Sequence, residues 1–169
     1  MAMIDDFKAN LVGGGARANQ FRVTISPPAG IAIGLDVRRT SFMARASSLP
    51  AQEMTPIEVP FRGRVLKVPG DRTFEPWELT IINDTDFALR DAFEKWNHLI
   101  NSMEGNTGTV SLQELQQTWT VTQLGKDGEE LKKYEIVGCW PSTLGAIELN
   151  YESTGAIEEF PVTLEYQYF

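Results

Sequence analysis

Very few side chains in this sequence could carry out catalysis. The 169 residues include one histidine, His98, and one cysteine, Cys139. A single cysteine excludes an internal disulfide and a cysteine cage for a metal, and a single histidine argues against a histidine-ligated catalytic metal. No Ser or Cys motif supplies a nucleophile for His98, so we interpret it as a structural histidine. Cys139 falls in a predicted strand, where a small buried hydrophobic side chain is expected.

Glycine and carboxylate motifs do not supply a binding site either. The triple glycine at 13–15 follows no strand and precedes no Gly-Lys-Ser/Thr, and Gly125-Lys126 falls in a predicted hairpin turn, so neither forms a phosphate loop. The pairs Glu129-Glu130 and Glu158-Glu159 are adjacent in sequence, and neighbours in an extended chain point to opposite faces. Neither pair therefore forms an acid–base dyad. The sequence predicts a protein that is not an enzyme and that holds neither cofactor nor metal.

Charge is distributed unevenly along the chain. Residues 1–72 carry ten Lys/Arg and six Asp/Glu, whereas residues 73–169 carry five and seventeen, which gives the net charge of −8. An acidic surface repels nucleic acid, which argues against sequence-specific DNA binding. Two interpretations of the asymmetry stay open. It is either a solvated, solubilising surface, or a basic end of one copy that contacts the acidic end of another.

The sequence contains no targeting or membrane segment. Residues 1–6 are acidic and lead into no apolar stretch of the kind that a signal peptide has. No apolar run approaches the ~20 residues that cross a bilayer. We therefore expect a soluble protein, made in a reducing cytoplasm, without a membrane anchor.

Alternation of apolar and polar residues predicts a chain that is mainly strand. Residues 1–20, which include the triple glycine, are typical of an arm, and residues 28–34 of a loop. Residues 37–48 are basic and favour strand. We predict strands at 21–25, 57–59, 65–68, 77–81, 118–122, 131–140, 147–152 and 159–168.

The segment 49–69 is predicted to protrude from the body of the protein. It contains Pro50, Pro56, Pro60 and Pro69, and proline confines strands to sheet edges or to a projecting hairpin because it donates no backbone hydrogen bond.

One helix is predicted, over about residues 84–102. Apolar residues recur there at helical spacing, Asn83 or Asp84 is in position to cap the N-terminus, and Asp86 in the first turn suits the helix dipole. The predicted fold is mainly β: an antiparallel sandwich or barrel with this single flanking helix. The predicted organisation is an arm at 1–20 and one domain at 21–169.

Two blocks of residues resemble a known family. The first is Gly70-Asp71-Arg72-Thr73-Phe74 followed by Trp77, Thr80, Asn83-Asp84, Arg90, Phe93 and Trp96. The second is Gly138-Cys139-Trp140-Pro141 followed by Gly145, Leu149 and Tyr151-Glu152. In order and spacing these blocks resemble the tail tube protein of contractile-tailed bacteriophages, over most of the chain from about Asn19.

The resemblance implies a function as well as a fold. Tail tube proteins form hexameric rings that stack into a hollow tube, with the sheet of each subunit joined to its neighbours' around the lumen. The tube lies inside a contractile sheath, between baseplate and tail terminator, and the tape measure protein and genomic DNA pass through it without sequence-specific binding. Four alternatives remain open: a tube protein of a type VI secretion or extracellular injection system, a specialised tube-initiating baseplate subunit, a monomeric β-sandwich binding module and, least favoured, an enzyme.

Four sets of residues are candidates for roles in such a tube. We expect the basic residues to contact an adjacent subunit or ring: Arg38, Arg39, Arg62, Arg64 and Lys67. We expect the acidic residues to line the lumen, where mild repulsion lets DNA slide: Glu148, Glu152, Glu159 and Glu165. The motif aromatics are expected in the core: Trp77, Phe93, Trp96 and Trp140, the last followed by Pro141. Gly70 to Phe74 is expected to form a turn before a strand, with Asp71 and Arg72 paired inside it or across an interface.

Overall fold

The computed structural model describes residues 2–11, 13, 15–28, 36–108 and 111–169. The loop expected at 28–34 lies, from residue 29 onward, outside the described residues. The helices are α1 (Ala2–Asn10), α2 (Val37–Met43), α3 (Ala88–Ile100) and α4 (Leu112–Leu115). The strands are β1 (Phe21–Thr24), β2 (Ala44–Ser47), β3 (Gln52–Phe61), β4 (Arg64–Phe74), β5 (Trp77–Ile82), β6 (Gln117–Leu124), β7 (Glu130–Leu144) and β8 (Glu159–Glu165).

Six of the strands form one antiparallel sheet in the order β1-β6-β7-β8-β5-β2. The long strand β7 connects two halves of this sheet, because its first part pairs with β6 and its last part, from Trp140, pairs with β8. The halves face one another: the rings of Trp77 on β5 and Trp119 on β6 meet edge to face at 6.2 Å. The predicted mainly β, antiparallel sandwich is confirmed.

The core lies between the two halves of the sheet and α3. Alternating residues of β5 and β8 are buried, as their period-two pattern predicts. Helix α3 covers them with Leu89, Ala92, Phe93 and Trp96. The buried indole groups of three tryptophans each donate a hydrogen bond to a backbone carbonyl, which satisfies their polar N–H; they are Trp77, Trp96 and Trp119.

The expected core position of Trp140 is wrong. Gly138 on β7 adopts a φ of +70°, and the register of β7 against β6 shifts there by one residue. Such a bulge exchanges the faces of the residues that follow it. Cys139 and Pro141 consequently point into the core, whereas Trp140 is half-buried on the outer face. The core position belongs to Trp119, which is fully buried.

The helix is shorter at its start than predicted. It begins after Phe87, which has a φ of 54°, and Asn83 and Asp84 lie outside it. The side chain of Asp86 accepts a hydrogen bond from the backbone N–H of Ala88 at 3.1 Å. Asp86 therefore satisfies a backbone N–H group in the first turn of the helix. Asn83 instead donates its amide to Glu158 at 3.0 Å.

Two further segments differ from the prediction. Residues 37–43 form helix α2, because the Asp36 carboxylate accepts the backbone N–H groups of Arg38 and Arg39 and so caps a helix start. The strand expected at 147–152 is a loop, since β8 already pairs with β5 and β7 on its two sides. Asn150 accepts the backbone N–H of Glu152 with its side chain, which forms a turn there.

The expected protruding segment and the expected hairpin turn are both present, and the N-terminal arm contains a helix that was not predicted. The protruding segment is a hairpin, β3–β4, with longer strands than the sequence indicated. The turn at 126–128 joins β6 to β7, with Gly128 at a φ of +81°. Residues 2–10 of the expected arm are helical. In the part of the chain that the structure describes, none of the helices has both the length and the apolar character needed to span a membrane.

A pair of tryptophan variants tests the correction to the core. We expect Trp119→Ala to lower the free energy of unfolding by about 3–5 kcal/mol, because it leaves a large cavity among packed aromatic rings. Trp140→Ala is the matched control, and its cost should be nearer about 1 kcal/mol because the ring is half-buried. Urea denaturation of dilute protein measures both; equal losses would show that the bulge at Gly138 does not set the two environments apart.

Candidate assembly surface

The hairpin β3–β4 is the most exposed part of the sheet structure. Every residue of β3 is exposed, and among the described strands β3 and β4 pair only with each other. A tight turn joins them, with Arg62 at a φ of 47° and Gly63 at 79°. Positive φ at both central residues is typical of a two-residue type I′ turn, whose twist matches that of the flanking strands.

One face of the hairpin is apolar and open to solvent. Opposed residues of an antiparallel pair lie on the same face, and here Ile57 opposes Val68 while Val59 opposes Leu66. All four side chains are exposed, Leu66 to 61%. A contiguous apolar face of this kind, bordered by unpaired strand edges, is typical of a protein–protein contact.

The Gly-Asp motif lies inside strand β4 and does not form a turn. Between Pro69 and Arg72 strand β4 holds one residue more than the facing part of β3, so the motif forms a bulge. A Cβ on Gly70 would lie 2.3 Å from the backbone oxygen of Thr55, so only glycine fits there. The expected turn is therefore wrong, and no ion pair joins Asp71 to Arg72 among the described residues.

An aromatic cluster anchors the base of the hairpin to the body. The ring of Phe74, at the end of β4, lies 5.9 Å from Tyr166 and 5.5 Å from Phe169. Tyr134 on β7 contacts Phe169 in turn, at 5.8 Å. Because such pairs are directional and buried on one side, they fix the direction in which the hairpin leaves the body.

The structure brings three of the five basic candidates together at the hairpin tip. Arg62 and Arg64 flank the turn, with the Arg62 guanidinium over the ring of Phe61 at 5.2 Å. Lys67 follows on β4 and lies 3.8 Å from Glu58, a loose and exposed ion pair. The tip therefore combines positive charge with exposed apolar side chains.

Arg38 and Arg39 lie elsewhere, on α2. Arg38 is exposed, whereas Arg39 forms ion pairs with Asp84 at 2.5 Å and Asp86 at 2.6 Å. Hydrogen bonds from Arg39, and then from the backbone N–H of Thr85, lower the pKa of Asp84. Hydrogen bonds from Arg39, and then from the backbone N–H of Ala88, lower the pKa of Asp86. Arg39 thus ties α2 to the start of α3 within one copy.

The four acidic candidates are divided among three places. Glu148 and Glu159, together with Glu158, line a groove of about 580 Å³ between the 145–158 loop and the outer face of β8. Glu159 forms an ion pair with Arg45. Glu165 is at the far end of β8, opposite Trp140, and Glu152 is on the loop.

The exposed apolar residues of the 145–158 loop are not expected from the sequence pattern. Leu149, Tyr151 and Ile157 are open to solvent, Tyr151 completely. The spacing of these residues is typical of side chains on one face of a strand. Spacing alone does not show whether a partner strand exists. The helix holds one end of this loop, because Arg90 donates a hydrogen bond of 2.6 Å to the carbonyl of Gly145.

The described residues offer little reactive chemistry. Burial raises the pKa of the Cys139 thiol, which keeps it protonated and unreactive. Burial also raises the pKa of Tyr166. In the described ranges, no three His, Cys, Asp or Glu side chains are grouped so that they could hold a metal ion.

Comparison with known proteins identifies the class. A family model described as phage tail tube protein matches residues 16–169. The tail tube protein of Serratia phage KSP90 is 30% identical over 168 residues, covering 98% of this chain and 95% of that protein. Tail tube protein gp19 of Enterobacteria phage T4 is 32% identical over 155 residues, covering 91% and 90%. This chain belongs to the phage tail tube protein family, whose members are structural components of the virion.

Solved structures show the same fold in contractile injection machines. A chain of the tube-terminating cap of the anti-feeding prophage superposes with a TM-score of 0.62 at 16% identity, covering 91% of this chain and 88% of that one. A chain of the sheath–tube complex of an extracellular contractile injection system gives a TM-score of 0.58 at 16% identity, covering 95% and 93%. At this identity the likeness is one of fold.

The Arg39 ion pairs make a pH-dependent contribution that a matched pair of variants isolates. The folded pKa values of Asp84 and Asp86 lie below the ordinary 3.8, so the contribution is complete at neutral pH and is lost as the pH falls through those values. Arg39→Gln should lower the Tm at pH 7, and its difference from wild type should shrink below about pH 4. Arg38→Gln, at the exposed neighbouring residue, should change neither the Tm at pH 7 nor the pH dependence of the Tm. If Arg39→Gln lowers the Tm by the same amount at every pH, an ionic cause is contradicted.

Proposed function

We propose that this protein self-assembles into hexameric rings and that the rings stack into the hollow inner tube of a contractile phage tail. The observation that carries the proposal is the hairpin β3–β4, an exposed apolar two-stranded sheet whose outer edges have no partner among the described strands. A second copy that covers this face removes apolar surface from water and pairs free backbone groups. Membership of the tail tube family supports the same role.

Rings and tubes require two different contacts. A head-to-tail contact closes into a ring only when its rotation divides a full turn, and a second contact along the axis extends the assembly. Among the described strands, the short edge strands β1 and β2 and the separate hairpin provide two distinct sets of free edges. We assign the sheet edges to ring closure and the hairpin, with Arg62, Arg64 and Lys67, to the contact between rings. Arg39 leaves this set because it is already paired within its own chain.

Residues 21–169 form the tube domain in this proposal, and residues 1–20 form an arm outside it. The buried core begins at Val23. Among the described residues up to Asn19, those whose burial is described are all exposed. The arm is therefore free to contact a neighbour.

The lumen wall is proposed to include Glu165, together with Glu78 on the neighbouring strand. Both lie on the sheet face opposite α3, and Glu78 is exposed. Duplex DNA carries one negative charge per ~1.7 Å, so carboxylates on the wall keep it from binding and let it slide. Glu159 contributes less, because Arg45 neutralises it.

The partners in the virion follow from the same role. We propose that the tube is surrounded by the sheath, that it begins at the baseplate and ends at a terminator, and that tape measure protein and genome pass along its lumen. The injection machines whose chains share this fold include a sheath–tube complex and a tube-terminating cap. The relatives at 30% and 32% identity are phage proteins, which favours a phage tail over a secretion system.

Electron microscopy of the concentrated protein tests the proposal. In averaged images we expect rings with six-fold symmetry and tubes built from such rings. In a three-dimensional reconstruction of the tubes we expect Glu165 and Glu78 on the inner wall. A monodisperse monomer at all concentrations would contradict self-assembly and would favour a monomeric binding module. Tubes with both glutamates on the outer wall would contradict only the lumen assignment.

A further inference from the structure

The groove under the 145–158 loop has the chemistry of a docking site for a basic, apolar segment. Its walls combine apolar residues with the carboxylates of Glu148 and Glu158. Leu149 and Ile157 line it and are exposed to 79% and 69%. Glu158 accepts a hydrogen bond from Asn83, and Glu148 forms no ion pair with any described residue. Negative charge and apolar surface are therefore both uncompensated there.

The hairpin tip has the complementary chemistry. Arg62 and Arg64 supply positive charge, and Phe61, Val65 and Leu66 are exposed to between 55% and 65%. These five residues line a concave surface of about 470 Å³ at the tip. The tip is narrow, because it is a two-residue turn between two strands, and a narrow element suits a groove of this volume.

The tip and the groove do not occupy one another within a single copy. The residues that line the groove come from β5, β8 and the loop that precedes β8, and none comes from the hairpin. Because the fold leaves both surfaces open, they are available to separate copies. A contact between the tip of one copy and the groove of another is heterologous, since each copy contributes a different patch. Heterologous contacts build rings or filaments and not closed pairs.

We propose that the hairpin tip of one copy docks into the groove of another copy, with Arg64 and Arg62 facing Glu148 and Glu158 and the apolar residues of the tip covering Leu149 and Ile157. This inference rests on the proposed self-assembly and identifies its acceptor surface. It assigns Glu148 to a contact between copies and removes it from the lumen. It also gives the 145–158 loop a role, because the loop presents apolar side chains that the core does not use.

Cysteine cross-linking tests the contact directly. Val65→Cys at the tip with Ser153→Cys in the groove places one thiol on each surface, with small changes in side-chain volume. The native Cys139 is fully buried, so it adds no background. A disulfide forms only when the two Cα atoms approach within about 7 Å. We expect mild oxidation of assembled protein to give a ladder of covalent multimers on a non-reducing gel.

Two further cysteine pairs serve as controls. Val65→Cys with Glu104→Cys, an exposed residue in the loop after α3, should give no ladder. Phe7→Cys with Ser153→Cys tests the exposed apolar side of α1 as an alternative occupant. A ladder from this pair, with none from Val65 and Ser153, overturns the inference in favour of the arm.

Charge exchange provides a second, independent measurement. Arg64→Glu or Glu148→Arg alone should raise the protein concentration at which tubes form by at least about tenfold, because each places like charges together. The double variant that combines Arg64→Glu with Glu148→Arg should return this protein concentration to within about threefold of the wild-type concentration. Lys126→Glu and Glu104→Arg carry the same charge changes on exposed loops and should leave it within about twofold. Full additivity of the two single effects would overturn the proposed pairing.

The outcomes separate this inference from the proposed function. Tubes that form normally, without a ladder from Val65 and Ser153 and without charge rescue, contradict the docking contact and leave self-assembly standing. A chain that stays monomeric contradicts both. A ladder with charge rescue supports both.

Discussion

The proposed assembly depends on strand pairing that is incomplete among the described residues of one copy. Strands β3 and β4 extend as a two-stranded sheet whose outer backbone groups have no partner among the described residues. An isolated hairpin of this kind is marginally stable in water, and here its apolar face is exposed as well. In the proposed assembly, a neighbour supplies strand edges and covers that face, which resolves both problems.

The remainder of the fold provides a rigid base for that hairpin. The stacked rings of Phe93 and Trp96 on α3 contact Trp119 on the sheet, so the helix and the two halves of the sheet share one core. Phe74 then links this body to the base of the hairpin through Tyr166 and Phe169. The ion pairs of Arg39 hold α2 against the start of α3. The body is thus fixed by packing within one copy, and in the proposed assembly the hairpin makes the contacts between copies.

Much of this architecture is predictable from local patterns. Strict alternation identifies β8, because one of its faces is wholly buried, and the four prolines identify the projecting hairpin. Features that depend on distant partners are not predictable in this way. Residues 147–152 alternate like a strand, but they form a loop, because the following strand β8 already pairs with β5 and β7 on its two sides. Trp140 changes face because of the bulge at Gly138, and α2 depends on a cap from Asp36 that outweighs the strand propensity of its sequence.

The candidate site follows the same division. Arg62, Arg64 and Lys67 cluster because they are close in sequence on one hairpin, so the sequence alone indicates a basic tip. Arg39 is also basic, and only the fold shows that it forms ion pairs with Asp84 and Asp86. The acidic candidates are divided because the 145–158 loop folds over β8 and forms the groove, which no spacing rule indicates.

Amide hydrogen exchange tests the central claim most directly. The backbone N–H groups of residues 52–74 are compared in dilute protein and in protein at a concentration at which it assembles, with β8 as the internal reference. The account predicts that the hairpin amides exchange quickly in dilute protein and are strongly protected on assembly, while β8 is protected in both. Hairpin amides that exchange equally fast in assembled protein, or that are fully protected in the monomer, would contradict it.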